Sequence, residues 1–420
     1  MSKLLILIVV VLGILAVAQL ARVHELTSRL RGKREEDISP ADNRMNATLI
    51  WIFSVVYFGF LLWLVLAYKD RMLPVAASQQ GVETDWLMNF NWAILAIAFV
   101  ITNALLFYFA GKYVHSKERR AFWLPHNNKL ELAWTIAPAA VLAVIIIYGL
   151  AAWNVITAPA SPDAVVVELY AKQFDWTARY PGKDGMMGAT DFRLINGENP
   201  LGIATGESIS TRLAELEAEI HAADSMVAHA ILSDAKMGEL EDRLAYLQRM
   251  RSRVVNLRTV MEQDIKANGA ASAFLHGADD VVTKDFQLPV NKEVNILIRS
   301  RDVIHSAYIP HLRIQMNAVP GMTTQMKVVP TITTDSMRTH VMKDPSFDFI
   351  LMCNKVCGAS HYNMQMPLIV TTAAEFDAWA AEQNKKPFQA PADSGSEGMT
   401  APAVAEPVAH DSAGAAISMN

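Results

Sequence analysis

Cysteine is almost missing from this chain: 420 residues hold two, Cys353 and Cys357, and no C-x-x-C-H occurs. No covalently attached haem c is therefore expected, and the sulfur and nitrogen donors around the pair lack the four closing ligands of a structural zinc site. Proline is absent between Leu201 and Leu288, a stretch in which no strand pattern occurs. Lys, Arg, Asp and Glu are absent from the interiors of four apolar runs, residues 4–20, 47–68, 92–111 and 132–153. Such runs are long for buried core helices and match the thickness of a hydrocarbon layer. Residues 387–420 contain no Lys or Arg and are rich in Ala, Pro, Ser and Gly, with four acidic residues. They are expected to form a disordered tail.

What is present is unusually apolar. The hydrophobic share is 52% at a net charge of -5, concentrated at the front of the chain. Between the first two runs lie Arg22, Arg29, Arg31, Lys33, Arg34 and Arg44; the next loop has only Lys69 and Arg71. The third loop is basic again, with Lys112, Lys117, Arg119, Arg120 and Lys129. Basic loops stay on the cytoplasmic side, so the N-terminus and everything after Trp153 are expected on the periplasmic side of a bacterial inner membrane. Ala16-Val17-Ala18 resembles a signal-peptide cleavage site. Cleavage there would leave three spans and strand the rest of the chain in the cytoplasm, so parity argues for retention.

From Ala164 the pattern changes to short β-branched and aromatic runs, residues 165–170, 174–180, 294–298, 323–329, 347–352 and 368–372, separated by Pro, Gly and Asn. These predict an all-β sandwich or barrel. Within residues 203–272, Leu213, Leu216, Ile220, Ala223 and Val227 recur at helical spacing, as do Leu240, Leu244, Leu247, Val254 and Met261, with Ser233 to Gly238 between. The spacing predicts an inserted α-helical hairpin, either packing on itself or docking a partner. A final helix is expected over residues 373–383.

Cys353 and Cys357 are followed by His361 and Met364. Thiolate and thioether are soft donors that suit copper. Two deprotonated sulfurs can bridge two metal ions, each ended by a histidine, with Met364 as a weak axial donor. The second histidine is expected to be His305, in an apolar strand-like run bounded by charge and proline; His311, after Pro310 and near Arg313, reads as a surface residue. The alternative is a structural disulfide in an exported domain, which leaves His361 and Met364 without a role.

The segment from Cys353 to Met364 resembles the C-x-E-x-C-x-x-x-H-x-x-M signature of cytochrome c oxidase subunit II. Asp302-Val303-Ile304-His305-Ser306 and Ala318-Val319-Pro320-Gly321-Met322 are similar to further blocks of that family, in the family's order. Ala171-Lys172-Gln173-Phe174-Asp175-Trp176, followed by Arg179-Tyr180-Pro181-Gly182, resembles its aromatic strand. The likeness runs from about residue 90 to 385, apart from the insertion.

The resemblance implies a membrane α-helical anchor (residues 88–156) preceded by two additional helices (1–72), and a cupredoxin-like domain (163–200 and 281–385). It implies a binuclear CuA centre held by Cys353, Cys357, His305, His361, Met364 and the backbone carbonyl of Lys355. It further implies electron transfer from a c-type cytochrome to haem in subunit I of an aa3-type or related oxidase. Oxygen reduction, CuB and proton translocation would belong to that subunit, with subunit III a further partner. Two extra spans and an inserted hairpin are also compatible with a larger respiratory assembly; the lipid bilayer is a partner, and no nucleic acid is expected. Lys355 stands where the family has a glutamate that also serves a magnesium site, and an ammonium has no acceptor to offer one. Phe174 stands where many members have an electron-accepting tryptophan, so Trp176 and Tyr308 are further candidates for electron input. Glu131, before Trp134, would mark a proton-channel mouth; otherwise it is an interfacial carboxylate. A quinol oxidase subunit II or a copper-free scaffold is the competing identity.

Overall fold

The computed structural model describes residues 2–30, 39–116, 118–229 and 233–389. Beyond Gln389, the expected tail lies outside the described residues. The chain opens with four helices, α1 (Ser2–Leu30), α2 (Pro40–Met72), α3 (Gln79–Lys112) and α4 (Asn128–Thr157). Among the described residues, α2, α3 and α4 are long and apolar enough to cross a membrane, and their apolar side chains face outward. The first apolar run lies within α1. Ser39 starts α2 with a capping box, its hydroxyl accepting from the Asp42 N–H while the Asp42 carboxylate takes the Ser39 N–H.

The third helix begins at Gln79, ahead of the span expected from residue 88, because its first turns serve the β domain rather than lipid. Ser78 caps α3 through the Gly81 N–H and donates its hydroxyl to the Leu312 carbonyl. Arg313 grips Asp85 with two bonds of 2.7 and 2.8 Å and donates to the Pro74 carbonyl at 2.6 Å. These contacts clamp the anchor to the domain above it.

That domain is a cupredoxin-like sandwich of two five-stranded sheets. One has the order β3-β2-β1-β5-β8, with β1 (Val165–Lys172), β2 (Asp175–Tyr180), β3 (Val281–Thr283), β5 (Val294–Ser300) and β8 (Thr324–Val328). The other has the order β4-β10-β9-β6-β7, with β4 (Phe286–Pro289), β6 (His305–Ile309), β7 (Ile314–Ala318), β9 (Phe349–Cys353) and β10 (Gln365–Thr371). β1 runs parallel to β5 and β10 parallel to β4; the other pairings are antiparallel. Period-two alternation sends Val294, Ile296 and Ile298 inward to meet Phe349, Leu351, Leu368 and Val370. Each such side chain contributes roughly 1.5–3 kcal/mol by leaving water. Strands β3, β4 and β7 were not separated by the sequence pattern, being three to five residues long.

The insertion is a pair of antiparallel helices, α5 (Gly206–His229) and α6 (Asp234–Asn268), with Leu213, Leu216, Leu247 and Val254 buried between them. The break expected from Ser233 to Gly238 is helical from Asp234 onward: α6 starts there, and Gly238 sits inside it. Between β8 and β9 lies a short helical turn, α7 (Thr334–Ser336), continued by a π-helical turn at Met337–Val341, and α8 (Ala373–Gln383) is the last described helix, packing Phe376 and Trp379 on Tyr180. After α8 the chain does not leave the body at Pro387. Phe388 N–H and Gln389 N–H donate to the Asp280 and Ala278 carbonyls, and the Phe388 ring packs beside Tyr170, Leu201 and Ile203.

His311 is not a surface residue. Its ring is half-buried, edge-on to Phe347 and Phe349 with centroids 5.1 and 5.5 Å away. Burial, then the Arg313 charge, lowers its pKa. The neighbours that enclose it come from β9 and the residues just before it, which Pro310 and Arg313 gave no means of foreseeing.

Candidate metal centre

Strand β9 ends on Cys353 because Phe349, Leu351 and Cys353 are its three inward residues, and the last inward position lies at the rim of the sandwich. Strand β6 runs beside it with Ala307 opposite Cys353, which brings His305, at the start of β6, to the same rim. The loop that follows is pinned at its root. Asn354 N–H donates to the Ser306 carbonyl, and Cys353 N–H donates to the carbonyl of Met364, both at 3.0 Å. A 3₁₀ turn from His361 to Asn363 folds the loop back over the two sulfurs.

The two sulfurs stand 3.8 Å apart and are not bonded to each other. A disulfide would need about 2.05 Å. Around them, Cys353 Sγ lies 3.8 Å from His305 Nδ1 and 3.2 Å from the Lys355 carbonyl oxygen. Cys357 Sγ lies 3.6 Å from His361 Nδ1 and 3.7 Å from Met364 Sδ. The donor atoms of His305, Cys353 and Cys357 all fall within 4.8 Å of one another, and all three residues are buried. His361 joins through Cys357. The arrangement has a pseudo-symmetry: each sulfur has one imidazole nitrogen and one weaker donor beside it. Soft, shared sulfurs flanked by borderline nitrogens fit copper.

Asp302, quoted in the sequence motif without a role, organises the His305 side. Its Oδ1 lies 2.8 Å from His305 Nε2 and also accepts from the Val303 N–H, while its Oδ2 accepts from the Gln173 N–H at 2.7 Å. Burial works against the Asp302 charge, but the bonds from Gln173, His305 and Val303 together outweigh it and hold the carboxyl below its usual value. Gln173 also donates its side-chain amide to the Cys357 carbonyl. Burial, then the hydrogen bond with Cys353, pushes the Cys357 thiol up to about 11. Metal binding must displace that proton. The carboxylate three residues before His305 was the available signal for Asp302; nothing local marked Gln173.

The remaining sequence candidates fall in different places. The Phe174 ring is partly exposed and lies directly over Gly358, where a Cβ would meet it at 2.8 Å. Trp176 is 1% exposed, with its indole edge-on to the His305 ring at 6.2 Å between centroids. Tyr308, an odd number of residues along β6 from His305, is on the opposite face of that strand. Glu131 is half-buried in the first turn of α4, accepting from the Asn127 N–H at 3.3 Å, while Asn127 caps the helix through the Leu130 N–H. Val356 and Tyr362, at 80% and 86% exposure, leave the loop's outer surface apolar and open.

Two family models match in series: the cytochrome c oxidase subunit II transmembrane domain over residues 67–152 and the periplasmic domain over residues 256–373. The alternative cytochrome c oxidase subunit 2 of Bradyrhizobium diazoefficiens is 28% identical over 340 residues, 80% of this chain and 89% of that protein. Cytochrome c oxidase subunit 2 of Cereibacter sphaeroides is 23% identical over 305 residues, 72% of this chain and 77% of that protein. Among solved structures, the periplasmic domain of subunit II of cytochrome oxidase of Bradyrhizobium japonicum aligns at 14% identity and a TM-score of 0.26, covering 54% of this chain and 97% of that one. Two domain models in their proper order, together with the first relative's near full-length alignment, show that this chain belongs to the cytochrome c oxidase subunit II family.

Proposed function

We propose that this chain takes electrons from a c-type cytochrome and delivers them to haem on subunit I of an aa3-type or related haem-copper oxidase, where oxygen is reduced and protons are moved. The observation that carries this reading is the convergence of Cys353, Cys357, His305, His361, Met364 and the Lys355 carbonyl at one rim of the sandwich. Cys353 and Cys357 would serve as shared donors, His305 and His361 as one terminal donor each, with Met364 and the Lys355 carbonyl as the weaker pair. When bound there, a copper pair supplies a one-electron store.

The chain's own task is to hold that set still. Two donors stand on or at the end of paired strands and the others on a loop bonded at both ends, so little movement is available to them. Gln173 and Phe174 close one side of the loop against water. Of the three aromatic candidates, Phe174 alone is both partly exposed and against the sulfur loop, and it is the preferred point of electron input, with Trp176 behind His305.

The same reading places the β domain on the periplasmic side. With α1 as a fourth span, the N-terminus lies there too, in a bacterial inner membrane beside subunits I and III. Glu131 would stand at the cytoplasmic mouth of a proton path. Lys355 offers its carbonyl to the centre, but its side chain cannot support a magnesium ion. A quinol-oxidising subunit or a scaffold would have no use for the converged donors.

The test is the assembled oxidase carrying Cys357→Ser. Oxidation of a reduced c-type cytochrome should fall by orders of magnitude while the haems of subunit I stay in place; an unchanged rate would overturn the reading.

A further inference from the structure

We propose that a cleft beside the distal end of β1 and β5 binds a small organic anion, a carboxylate or phosphate carried on an apolar group. The cleft has a volume of about 510 Å³. Arg299 and Arg301, at the end of β5, line one side; Phe192 and Ile195, from the segment leading into the helical insertion, line the other, with Met322 at the rim.

Arg299 is held for a purpose its neighbours do not complete. Its Nε donates to Glu168 and its Nη1 donates to Thr190 Oγ1 at 2.6 Å, with the guanidinium 5.1 Å over the Tyr170 ring. Its Nη2 is buried and meets no acceptor among the described residues. A buried N–H without an acceptor is destabilising unless a bound group supplies one. Glu168 does not: it takes Arg299 through Nε alone and turns its second oxygen to Arg179 Nη1 at 3.1 Å. Asp191, which lines the cleft, gives both oxygens to Arg193 at 2.7 and 2.6 Å. Arg301 makes no ion pair among the described residues. Two guanidiniums thus line a cleft whose one lining carboxylate, Asp191, is committed to Arg193, and planar guanidinium forks match carboxylate and phosphate oxygens.

The apolar part follows from the opposite wall. Phe192 and Met322 are 69% and 54% exposed, large side chains left bare beside the charge. A membrane lipid does not suit the position. β1 and β5 start next to α4, at Val165 and Val294, and run in parallel away from it, so the cleft lies at their far end. A soluble anion with an aromatic or alkyl body fits both walls.

Titration calorimetry of the full chain in detergent tests this with inorganic phosphate, phenyl phosphate and benzoate as probes, a set that does not depend on copper. Phenyl phosphate or benzoate should bind at one site per chain, more tightly than inorganic phosphate. Arg301→Glu should weaken that binding by about tenfold or more. Arg299→Leu would also strip Glu168 of a partner and risk the fold, so the exposed Arg301 carries the comparison. No binding of any probe, equal binding by the Arg301→Glu chain, or inorganic phosphate binding as tightly as its aryl ester would each overturn the proposal.

Discussion

Asp302 Oδ1 lies 2.8 Å from His305 Nε2, and that contact decides which nitrogen of the imidazole faces the sulfurs. A carboxylate accepts only, so Nε2 must carry the proton, leaving the Nδ1 lone pair turned toward Cys353. Asp302→Ala removes the orienting partner without touching a donor. Copper affinity, measured by competition with a chelator, should fall by about 10–100-fold, and Asp302→Asn, whose carbonyl can still accept, should lose less. Equal affinity in all three proteins would show that the ring needs no such support.

Gly358 sits at φ +144 with Phe174 Cε1 and Cζ 2.8 Å, and Gln173 Nε2 2.9 Å, from where a Cβ would be. Alanine there is strained in backbone and blocked by the covering side chains. Gly358→Ala should displace the loop from Cys357 to His361 and lower copper retention, while the near-ultraviolet circular dichroism of the rest of the domain is kept. Full copper retention would show that Phe174 can move aside freely.

Arg179 is buried between Glu168 and Asp280, and also donates to the Gly188 carbonyl at 2.7 Å. Removing one member of a buried charge group leaves the others uncompensated. Arg179→Met should destabilise the chain by about 3–5 kcal/mol in denaturant titrations. A loss below about 1 kcal/mol would mean that water reaches the cluster.

Burial raises the Asp280 carboxyl from 3.8 to about 6, against the lowering effect of Arg179. The folded state therefore holds this proton more tightly than the unfolded chain. The stability it contributes is full below about pH 4 and is lost as pH rises through about 6. Asp280→Asn cannot titrate, so the gap between its melting temperature and that of the wild type should change across that window and level off above it. A constant gap would contradict the assignment.

How far the sequence could be read depends on how far apart the cooperating residues lie. Cys353, Cys357, His361 and Met364 fall within twelve consecutive residues, so their chemistry was visible as spacing. The strand around His305 was visible as an apolar run, but its placement beside β9 is a matter of sheet register. Arg179 and Asp280 are 101 residues apart, with the whole insertion between them, and no local pattern pairs them. The same distance hid the cleft, whose walls come from the lead-in to α5 and the end of β5. Helix periodicity located the hairpin but carried the break too far along the chain, because Gly238 looked like a turn residue and proved tolerable inside α6.

The central claim is that Cys353 and Cys357 share a pair of copper ions. Metal analysis of the purified full chain, combined with its near-infrared absorption and electron paramagnetic resonance, addresses this most directly. The account predicts two coppers per chain and a mixed-valence signal that disappears in Cys357→Ser. A chain that binds no copper, or binds a single ion with no mixed-valence signal, would contradict it.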